Sequence, residues 1–414
     1  MWWGGEWLQT SPPLFLALGR LWIVIWGLST ESLRSFSLLF ALVAGVGVQK
    51  AAMAAGAKKY SALAAAVAMF FSVGPEYFFS FKQYGAEAAA VALLLWIAAR
   101  GTKWGLVAAT VLLLPLAYPV AFLLPGLVLL VWHRSGARAA VTLAVAGGAT
   151  LLVLYFGFIR PNVEPSLWSY WGGSWRDTFP PSVLAWIGAS VGFVWYALWR
   201  RDYVLLACAL PCVLLAGAEA AGWYPASPRM RLFVRPCFVV AAAVILEREL
   251  AFERLAWVPP VAALVMTIQG VAGYNADGVE DYPANIAYLR EHAKPEDLVL
   301  VHADARQGFL LYSVIEKWDR ELRFGSTGWP CCARGHGMPK SSEQSVRADL
   351  DRMIPAGFRG RIWLVYSNRP LHWKFLGLDE GDLWRRSVWD RGCPPAEYRD
   401  LGAIVVSAMD CKAP

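Results

Sequence analysis

The sequence has few charged residues for a chain of its length. Of its 414 residues, 17% are charged, 57% are hydrophobic and 22 are tryptophan. Because soluble domains have about 25% charged residues, this composition excludes an ordinary soluble protein and predicts an integral membrane protein. The net charge of +7 is small, so the sequence gives no reason to expect nucleic acid as a partner.

Three other patterns are missing from the sequence. Met1–Thr10 has neither the basic n-region nor the apolar h-region of a signal peptide. No Gly-rich phosphate loop follows a predicted strand, which argues against a nucleotide cofactor. The sequence has no paired CxxC spacing, so a zinc site using His302, His336 or His372 is a disfavoured alternative. We therefore expect no metal ion and no cofactor.

The charges divide the chain into two regions. Residues 1–272 hold 19 Lys and Arg against 11 Asp and Glu, whereas residues 273–414 hold 19 against 20. The first region is basic and apolar, and the second is balanced and hydrophilic. We predict a juxtamembrane helix region at 1–34 outside the cytoplasm, a transmembrane bundle at 35–272 and a periplasmic α/β domain at 273–414.

Apolar runs in the first region predict about ten membrane spans, with an uncertainty of about two because several are shorter than the usual 20 residues. The runs are 35–55, 60–73, 85–99, 104–117, 118–133, 137–157, 183–199, 203–222, 232–246 and 256–272. Alternate connectors hold eleven basic residues, a bias that places them in the cytoplasm. These residues are Lys50, Lys58, Lys59, Arg100, Lys103, Arg134, Arg138, Arg200, Arg201, Arg248 and Arg254.

This orientation places both ends of the chain outside the cytoplasm. Pro13–Leu28 is apolar but has only 16 residues, with Arg20 in the middle. It therefore fits an interfacial helix better than a span, although spanning remains an alternative. An outside start without a signal sequence leads us to expect one further span before Met1.

A polar and aromatic interruption, Ser72–Glu87, separates two apolar runs. Within it, Lys82 has tyrosines nearby on both sides, Tyr77 and Tyr84. A lysine at the water boundary beside interfacial aromatics is a candidate contact for an anionic headgroup or phosphate. The alternative is an ordinary aromatic belt in which Lys82 only anchors the end of a helix.

The order of several motifs resembles the GT-C superfamily of integral-membrane glycosyltransferases, which includes bacterial relatives of protein O-mannosyltransferases and lipid A sugar transferases. Pro12 and Pro13 open a juxtamembrane helix, and Leu33-Arg34 opens the next span. Lys82-Gln83-Tyr84 lies in a later loop, and Tyr224-Pro225 precedes Arg229, Arg231 and Pro236. The resemblance covers residues 1 to about 272 and extends loosely into the tail.

The resemblance implies transfer of a sugar from a polyprenyl-phosphate donor to a lipid, glycan or protein acceptor at the outer face of a bacterial inner membrane. Three cations would contact the donor phosphate: Lys82, Arg229 and Arg231. Five residues would line the site: Glu76, Tyr77, Gln83, Tyr84 and Tyr224. Membrane lipids are the other expected partners.

The catalytic base of this family lies in a loop after the first span, usually in an Asp-Glu pair. The matching part of this chain begins beyond that pair, and Glu6 is the only acid before Glu31. We assign no base, with Glu6 as a weak candidate. The chain is expected to be either a fragment of an active enzyme or a member that has lost its base. Two alternatives remain open, a transporter or flippase for a lipid-linked sugar and a non-catalytic scaffold of the same fold.

The hydrophilic tail alternates helical and strand patterns. Predicted strands lie at Asp297–His302, Gly360–Ser367 and Leu401–Val406. The seven cysteines divide between the regions. Three lie in predicted spans, and Cys331, Cys332, Cys393 and Cys411 lie in the tail, where an oxidising periplasm permits disulfides. Because adjacent cysteines rarely pair, bridges from Cys331 and Cys332 to Cys393 and Cys411 are favoured.

Overall fold

A computed structural model describes residues 11–73, 81–162, 181–221, 224, 228–249, 281–325, 343–367, 380–401 and 404–411. The described residues form two compact units, one up to residue 249 and one from residue 281 onward. The first is helical, and the second is built on a β-sheet. The predicted span at 256–272 lies outside the described residues.

The helices of the first unit follow the apolar runs. In chain order they are α1 (Pro13–Trp26), α2 (Thr30–Ala54), α3 (Lys59–Val73), α4 (Tyr84–Arg100), α5 (Lys103–Leu113), α6 (Leu124–Ser135), α7 (Ala137–Leu154), α8 (Pro181–Trp199), α9 (Tyr203–Ala220) and α10 (Arg235–Glu249). Short 3-10 helices at Tyr118–Leu123 and Pro228–Val234 precede α6 and α10. Among the residues that the structure describes, three continuous helical segments are long and apolar enough to cross a membrane: Thr30–Ala54, Tyr118–Ser135 and Ala137–Ile159. The total of about ten spans stays a prediction.

Small residues let the helices of this unit approach closely. Helix α2 packs against α4, where a Cβ placed on Gly47 would lie 2.9 Å from the Ala92 Cβ. Helix α6 meets α9, where a Cβ on Gly126 would lie 2.8 Å from the Ala207 Cα. Close backbone approach through glycine and alanine is typical of helix packing in membranes.

The described parts of the connectors predicted to be cytoplasmic lie together at one end of this unit, whereas Arg254 lies outside the described residues. Arg134 Nη1 donates a hydrogen bond to the Ala98 carbonyl at 2.6 Å. Arg248 pairs with Asp202 at 2.6 Å and donates to the Ala55 carbonyl at 3.2 Å. These contacts join the ends of α2, α4, α6 and α10 to the start of α9. We call this the basic end.

The second unit contains a five-stranded sheet. Its strands are β1 (Leu298–Val301), β2 (Leu322–Phe324), β3 (Gly360–Ser367), β4 (Pro395–Leu401) and β5 (Ile404–Cys411), in the order β2-β1-β3-β5-β4. Strand β1 runs parallel to β2 and β3, whereas β5 runs antiparallel to β3 and β4. The strands predicted at Asp297–His302 and Gly360–Ser367 are present, and the last one begins three residues later than predicted. Strands β2 and β4 were not predicted.

Helices cover both faces of this sheet. The chain forms α11 (Tyr282–His292), α12 (Ala303–Ile315), α13 (Glu343–Met353) and α14 (Glu380–Trp389). Val299 and Val301 pack with residues of α11 and α12. Leu300 points the other way and packs with residues of α13 and α14. The two-residue period of β1 therefore supplies side chains to two separate hydrophobic cores.

The predicted disulfide pairing is wrong. Cys393 and Cys411 pair with each other, not with Cys331 and Cys332, which lie outside the described residues. The β4–β5 hairpin causes this pairing, because its register places Pro395 opposite Met409. Asp410 N also donates to the Pro394 carbonyl at 2.9 Å. The two cysteines consequently face each other where the hairpin strands meet.

Candidate functional site

The cation predicted first, Lys82, lies two residues before α4. Its side chain is exposed, whereas that of Tyr84 in the first turn of α4 is buried. The preceding residue, Phe81, fixes the position of this turn because its ring lies 5.5 Å from the rings of both Phe15 and Phe36. Helices α1 and α2 thus hold the start of α4, with Lys82 facing solvent. Glu6, Glu76 and Tyr77 lie outside the described residues.

The second predicted cation, Arg231, forms a buried ion pair. Its Nε donates to both carboxylate oxygens of Glu219, at 2.9 and 3.1 Å. The side chain of Glu219 is fully buried and that of Arg231 is 10% exposed. Glu219 ends α9, and Arg231 lies in the 3-10 helix that leads into α10. The turn between these helices therefore brings the carboxylate of Glu219 and the guanidinium of Arg231 together.

The guanidinium of Arg231 is only partly satisfied by this pair. Its Nη2 is buried and has no hydrogen-bond acceptor among the residues that the structure describes. A buried charged donor without an acceptor is costly, and such groups in proteins are usually explained by a ligand, a water or an ion. One edge of this guanidinium is therefore available for an anion.

Tyr224 connects this ion pair to the start of α4. Its ring lies 5.4 Å from that of Phe122 and 6.3 Å from that of Phe233, and its backbone N–H donates to the Ala218 carbonyl at 3.2 Å. Tyr224 also lies within electrostatic range of Glu87, Tyr84 and Glu219. A tyrosine predicted to line the site thus lies among its acidic groups.

The structure brings together most of the described predicted residues. Helix α4 packs against the 3-10 helix Pro228–Val234, and Tyr224 lies within electrostatic range of both Tyr84 and Glu219, the partner of Arg231. Lys82 and Gln83 precede the same end of α4. The backbone of Arg229 lies in this 3-10 helix, but its side chain is outside the described part of the chain. We call this region, at the opposite end of α9 from the basic end, the outer cluster.

Two acidic residues of the outer cluster, Glu219 and Glu87, were not predicted as site residues. Glu87 is 5% exposed and lies in the first turn of α4, where the positive end of the helix dipole favours an anion. A signal for both was present in the sequence. Each is an isolated acid within or beside an apolar run, and acids inside membrane helices are generally functional.

The described residues contain no group of three or more His, Cys, Asp or Glu side chains placed to hold a metal ion. His302, one ligand of the alternative zinc site, is buried in the second unit with its ring 4.9 Å from that of Trp384. His336 and His372 lie outside the described residues.

The first unit defines the chain as a helical membrane protein, on the length and apolar character of its helices. No protein-family model matches the sequence, and no curated protein matches it. Among solved structures, the chain is similar to ArnT from Cupriavidus metallidurans in the apo state, with 15% identity and a TM-score of 0.49 over 96% of this chain and 87% of that one. The same protein bound to undecaprenyl phosphate gives 15% identity and a TM-score of 0.44, over 96% and 88%. Likeness at this level supports no functional argument.

Proposed function

We propose that the chain is a GT-C-like glycosyltransferase that uses a polyprenyl-phosphate-linked sugar as donor at the outer face of a bacterial inner membrane. The acceptor would be a lipid, a glycan or a protein. The partly unpaired guanidinium of Arg231 carries this proposal. It is a buried cation with a donor to spare, in the outer cluster with two tyrosines and at the same end of the unit as Lys82.

The chemistry of sugar transfer from such a donor explains why these groups would be needed. The departing phosphate gains negative charge as the glycosidic bond breaks, and fixed cations and N–H donors stabilise that charge. A guanidinium is well suited because its planar fork matches two phosphate oxygens. Arg231 would supply the fixed contact, and the exposed Lys82 would add a second charge at the water boundary.

Glu219 gives Arg231 a defined orientation but neutralises part of the positive charge of Arg231. A guanidinium held through Nε presents its remaining edge in one direction, as a preorganised donor does in an active site. The outer cluster would then bind the donor phosphate through Arg231 Nη2 and Lys82. We assign no catalytic base among the described residues.

Donor binding tests this proposal on the full chain in detergent, with undecaprenyl phosphate as the probe and native mass spectrometry as the readout. Arg231→Lys keeps a positive charge beside Glu219 but removes the second guanidinium nitrogen. Lys82→Glu reverses the exposed charge, and Lys59→Glu makes the same reversal at the exposed start of α3, at the basic end. We expect the first two variants to bind at least about tenfold more weakly, since one charge-assisted hydrogen bond contributes about 1.5–3 kcal/mol. Lys59→Glu should bind as the natural chain does.

Equal binding by all four proteins would remove the outer cluster as the phosphate site.

A separate assay distinguishes the candidate functions, because a buried ion pair inside a membrane unit is also found along transport pathways. For a transferase, proteoliposomes loaded with a lipid-linked sugar would show transfer of the sugar to an added acceptor, with polyprenyl phosphate as the other product. They would show movement of the intact lipid between leaflets for a flippase. A scaffold would show neither.

A further inference from the structure

A second polar feature lies at the basic end, away from the outer cluster. It is a cleft of about 530 Å³ between the ends of α6, α8 and α10 and the start of α9. Helix α9 has 18 residues, so its two ends are roughly 27 Å apart at 1.5 Å per residue. The volume falls within the range of about 300–1,000 Å³ that is usual for small-ligand sites. The cleft is therefore large enough for a ligand and distinct from the outer cluster.

Four arginines line this cleft together with two carboxylates. Arg200 pairs with Glu249 at 2.6 Å, and Arg248 pairs with Asp202 at 2.6 Å. A third arginine, Arg134, donates to the Ala98 carbonyl at 2.6 Å and satisfies the last turn of α4. These three side chains thus have structural partners that hold them in place.

The carboxylates in these pairs are held by hydrogen bonds within the protein. Hydrogen bonds from the Tyr196 hydroxyl and then from the Arg200 guanidinium hold the pKa of Glu249 below its usual range. Asp202 accepts the N–H groups of Val204 and Leu205 as the cap of α9, at 2.9 and 3.0 Å. Each carboxylate is therefore committed to contacts within the protein.

Arg201 differs from the other three arginines of the cleft because neither an ion pair nor a hydrogen bond holds its side chain within the described residues. Its side chain is exposed. Its backbone has φ +52°, in the left-handed region that non-glycine residues seldom adopt. This residue caps the end of α8, where the Asp202 N–H donates to the Ala197 carbonyl at 2.8 Å and the Arg201 N–H donates to the Leu198 carbonyl at 3.1 Å. The cleft has two more arginines than carboxylates. Of the two arginines without a carboxylate, Arg134 is held by a backbone carbonyl and Arg201 is exposed.

Aromatic rings place the mouth of the cleft at the depth of lipid headgroups. Trp195 and Trp199 on α8 are 65% and 61% exposed and stack at 5.8 Å. Trp132 on α6 is 59% exposed. His133 and Tyr203 stack at 4.0 Å inside the cleft. Exposed tryptophans near helix ends mark the membrane–water interface, so the ligand nearest to these arginines is the lipid of the adjacent leaflet.

We propose that this cleft binds the phosphate of an anionic phospholipid headgroup, with Arg201 as the contacting cation and the other three arginines as a supporting frame. Phosphate in a headgroup and free phosphate present the same chemistry to a guanidinium. The exposed tryptophans beside the cleft favour the headgroup, because they place the cleft at the membrane–water interface, where phospholipid headgroups lie. This site does not depend on the proposed function, since it lies at the other end of the unit.

The test uses the full chain in detergent, titrated with phosphatidylglycerol, with phosphatidylcholine of the same acyl chains, or with inorganic phosphate. Bound lipid is counted by native mass spectrometry, and the melting temperature is recorded in parallel. Arg201→Gly is the informative variant because glycine adopts φ +52° without strain. The matched control is Arg138→Gly, at another exposed arginine of the same end that does not line the cleft.

We expect phosphatidylglycerol to bind more tightly than phosphatidylcholine. Arg201→Gly should weaken this binding about fivefold, the effect of one basic residue near an anionic surface, while the lipid-free protein melts no lower than the natural chain. Arg138→Gly should leave the affinity unchanged. Equal losses in both variants would mean diffuse attraction and would overturn the site. Stabilisation by inorganic phosphate without a preference for phosphatidylglycerol would overturn its assignment to a headgroup.

Discussion

The ion pair between Arg231 and Glu219 is the residue-level feature on which the outer cluster depends. Its two charges are buried in an apolar bundle, where the attraction between them roughly offsets their loss of hydration. Such a pair adds little net stability by itself, but removal of one partner leaves the other charge uncompensated. The pair is therefore better explained by a need to position Arg231 than by a need for stability.

Substitutions at this pair test that interpretation. We expect Glu219→Gln to destabilise the chain by about 3–5 kcal/mol, because the guanidinium of Arg231 keeps its charge without a counter-ion. The double variant Glu219→Leu/Arg231→Met replaces both charges with apolar groups and should recover most of the loss. Melting in detergent measures the stability. A double variant as unstable as the single one would show that the pair is itself a major source of stability.

Lys82, Tyr84, Tyr224 and Arg231 are candidates only through a resemblance in residue type and order, and their roles stay predictions. The sequence did not identify their neighbours. Glu219 is twelve residues from Arg231, and only the fold of the turn between α9 and α10 determines that the two meet. Burial of Glu87 likewise depends on packing of α4 against a distant segment. The partners of the candidate residues thus become visible only in the tertiary structure.

At the level of elements, apolar runs located the helices but not how closely they pack. Gly126 was one of many glycines in the sequence, and no pattern distinguished it from Gly148. In the structure, a Cβ at Gly126 would lie 2.8 Å from a backbone atom of α9, whereas a Cβ at Gly148 would meet nothing within 4 Å. The same residue type therefore has opposite roles on two neighbouring helices.

Alanine substitutions test this difference, with Gly148 as the control for Gly126. Gly126→Ala should destabilise the bundle by about 1–3 kcal/mol, because α6 and α9 must separate to admit the methyl group. Gly148→Ala should be neutral or stabilise α7 by up to about 0.5–1 kcal/mol, the usual gain from alanine in a helix. Thermal unfolding of both variants in the same detergent measures these effects. Equal effects would contradict the close contact at Gly126.

The β4–β5 hairpin shows why the cysteine pairing was mispredicted. Strand β4 was not recognised from the sequence because its residues, from Pro395 to Leu401, are mostly polar or charged. Without that strand, there was no register to place Cys393 opposite Cys411. The four tail cysteines are then equivalent by sequence, and only the rarity of disulfides between adjacent cysteines favours one pairing over another. A missed edge strand thus led directly to a wrong disulfide.

Reduction provides the test of this hairpin. The bridge closes a loop with a sequence separation of 18, for which its loss should cost the second unit about 3 kcal/mol. We expect a tryptic fragment in which Cys393 and Cys411 resist alkylation until reductant is added. Reduced protein should also be digested faster in the second unit. Alkylation of both cysteines without reductant would contradict the bridge.

At the level of the whole molecule, two independent features concern the orientation of the chain. The basic connectors gather at one end of the first unit, and positively charged connectors are retained in the cytoplasm. The second unit contains a disulfide, and disulfides persist in oxidising compartments such as the periplasm. Both features favour a cytoplasmic basic end and a periplasmic second unit, although neither depends on the other.

Reporter fusions in living bacteria test this orientation. Alkaline phosphatase is active only after export, because its own disulfides form only in an oxidising compartment. We expect an active reporter when it is fused after Pro414 and an inactive one when it is fused after Gly136, the exposed glycine between α6 and α7 at the basic end. The opposite result would place Arg201 and its cleft at the outer leaflet and the outer cluster in the cytoplasm. A donor sugar would then have to be supplied from inside the cell. The proposal of sugar transfer at the outer face would be wrong even if both sites bound phosphate.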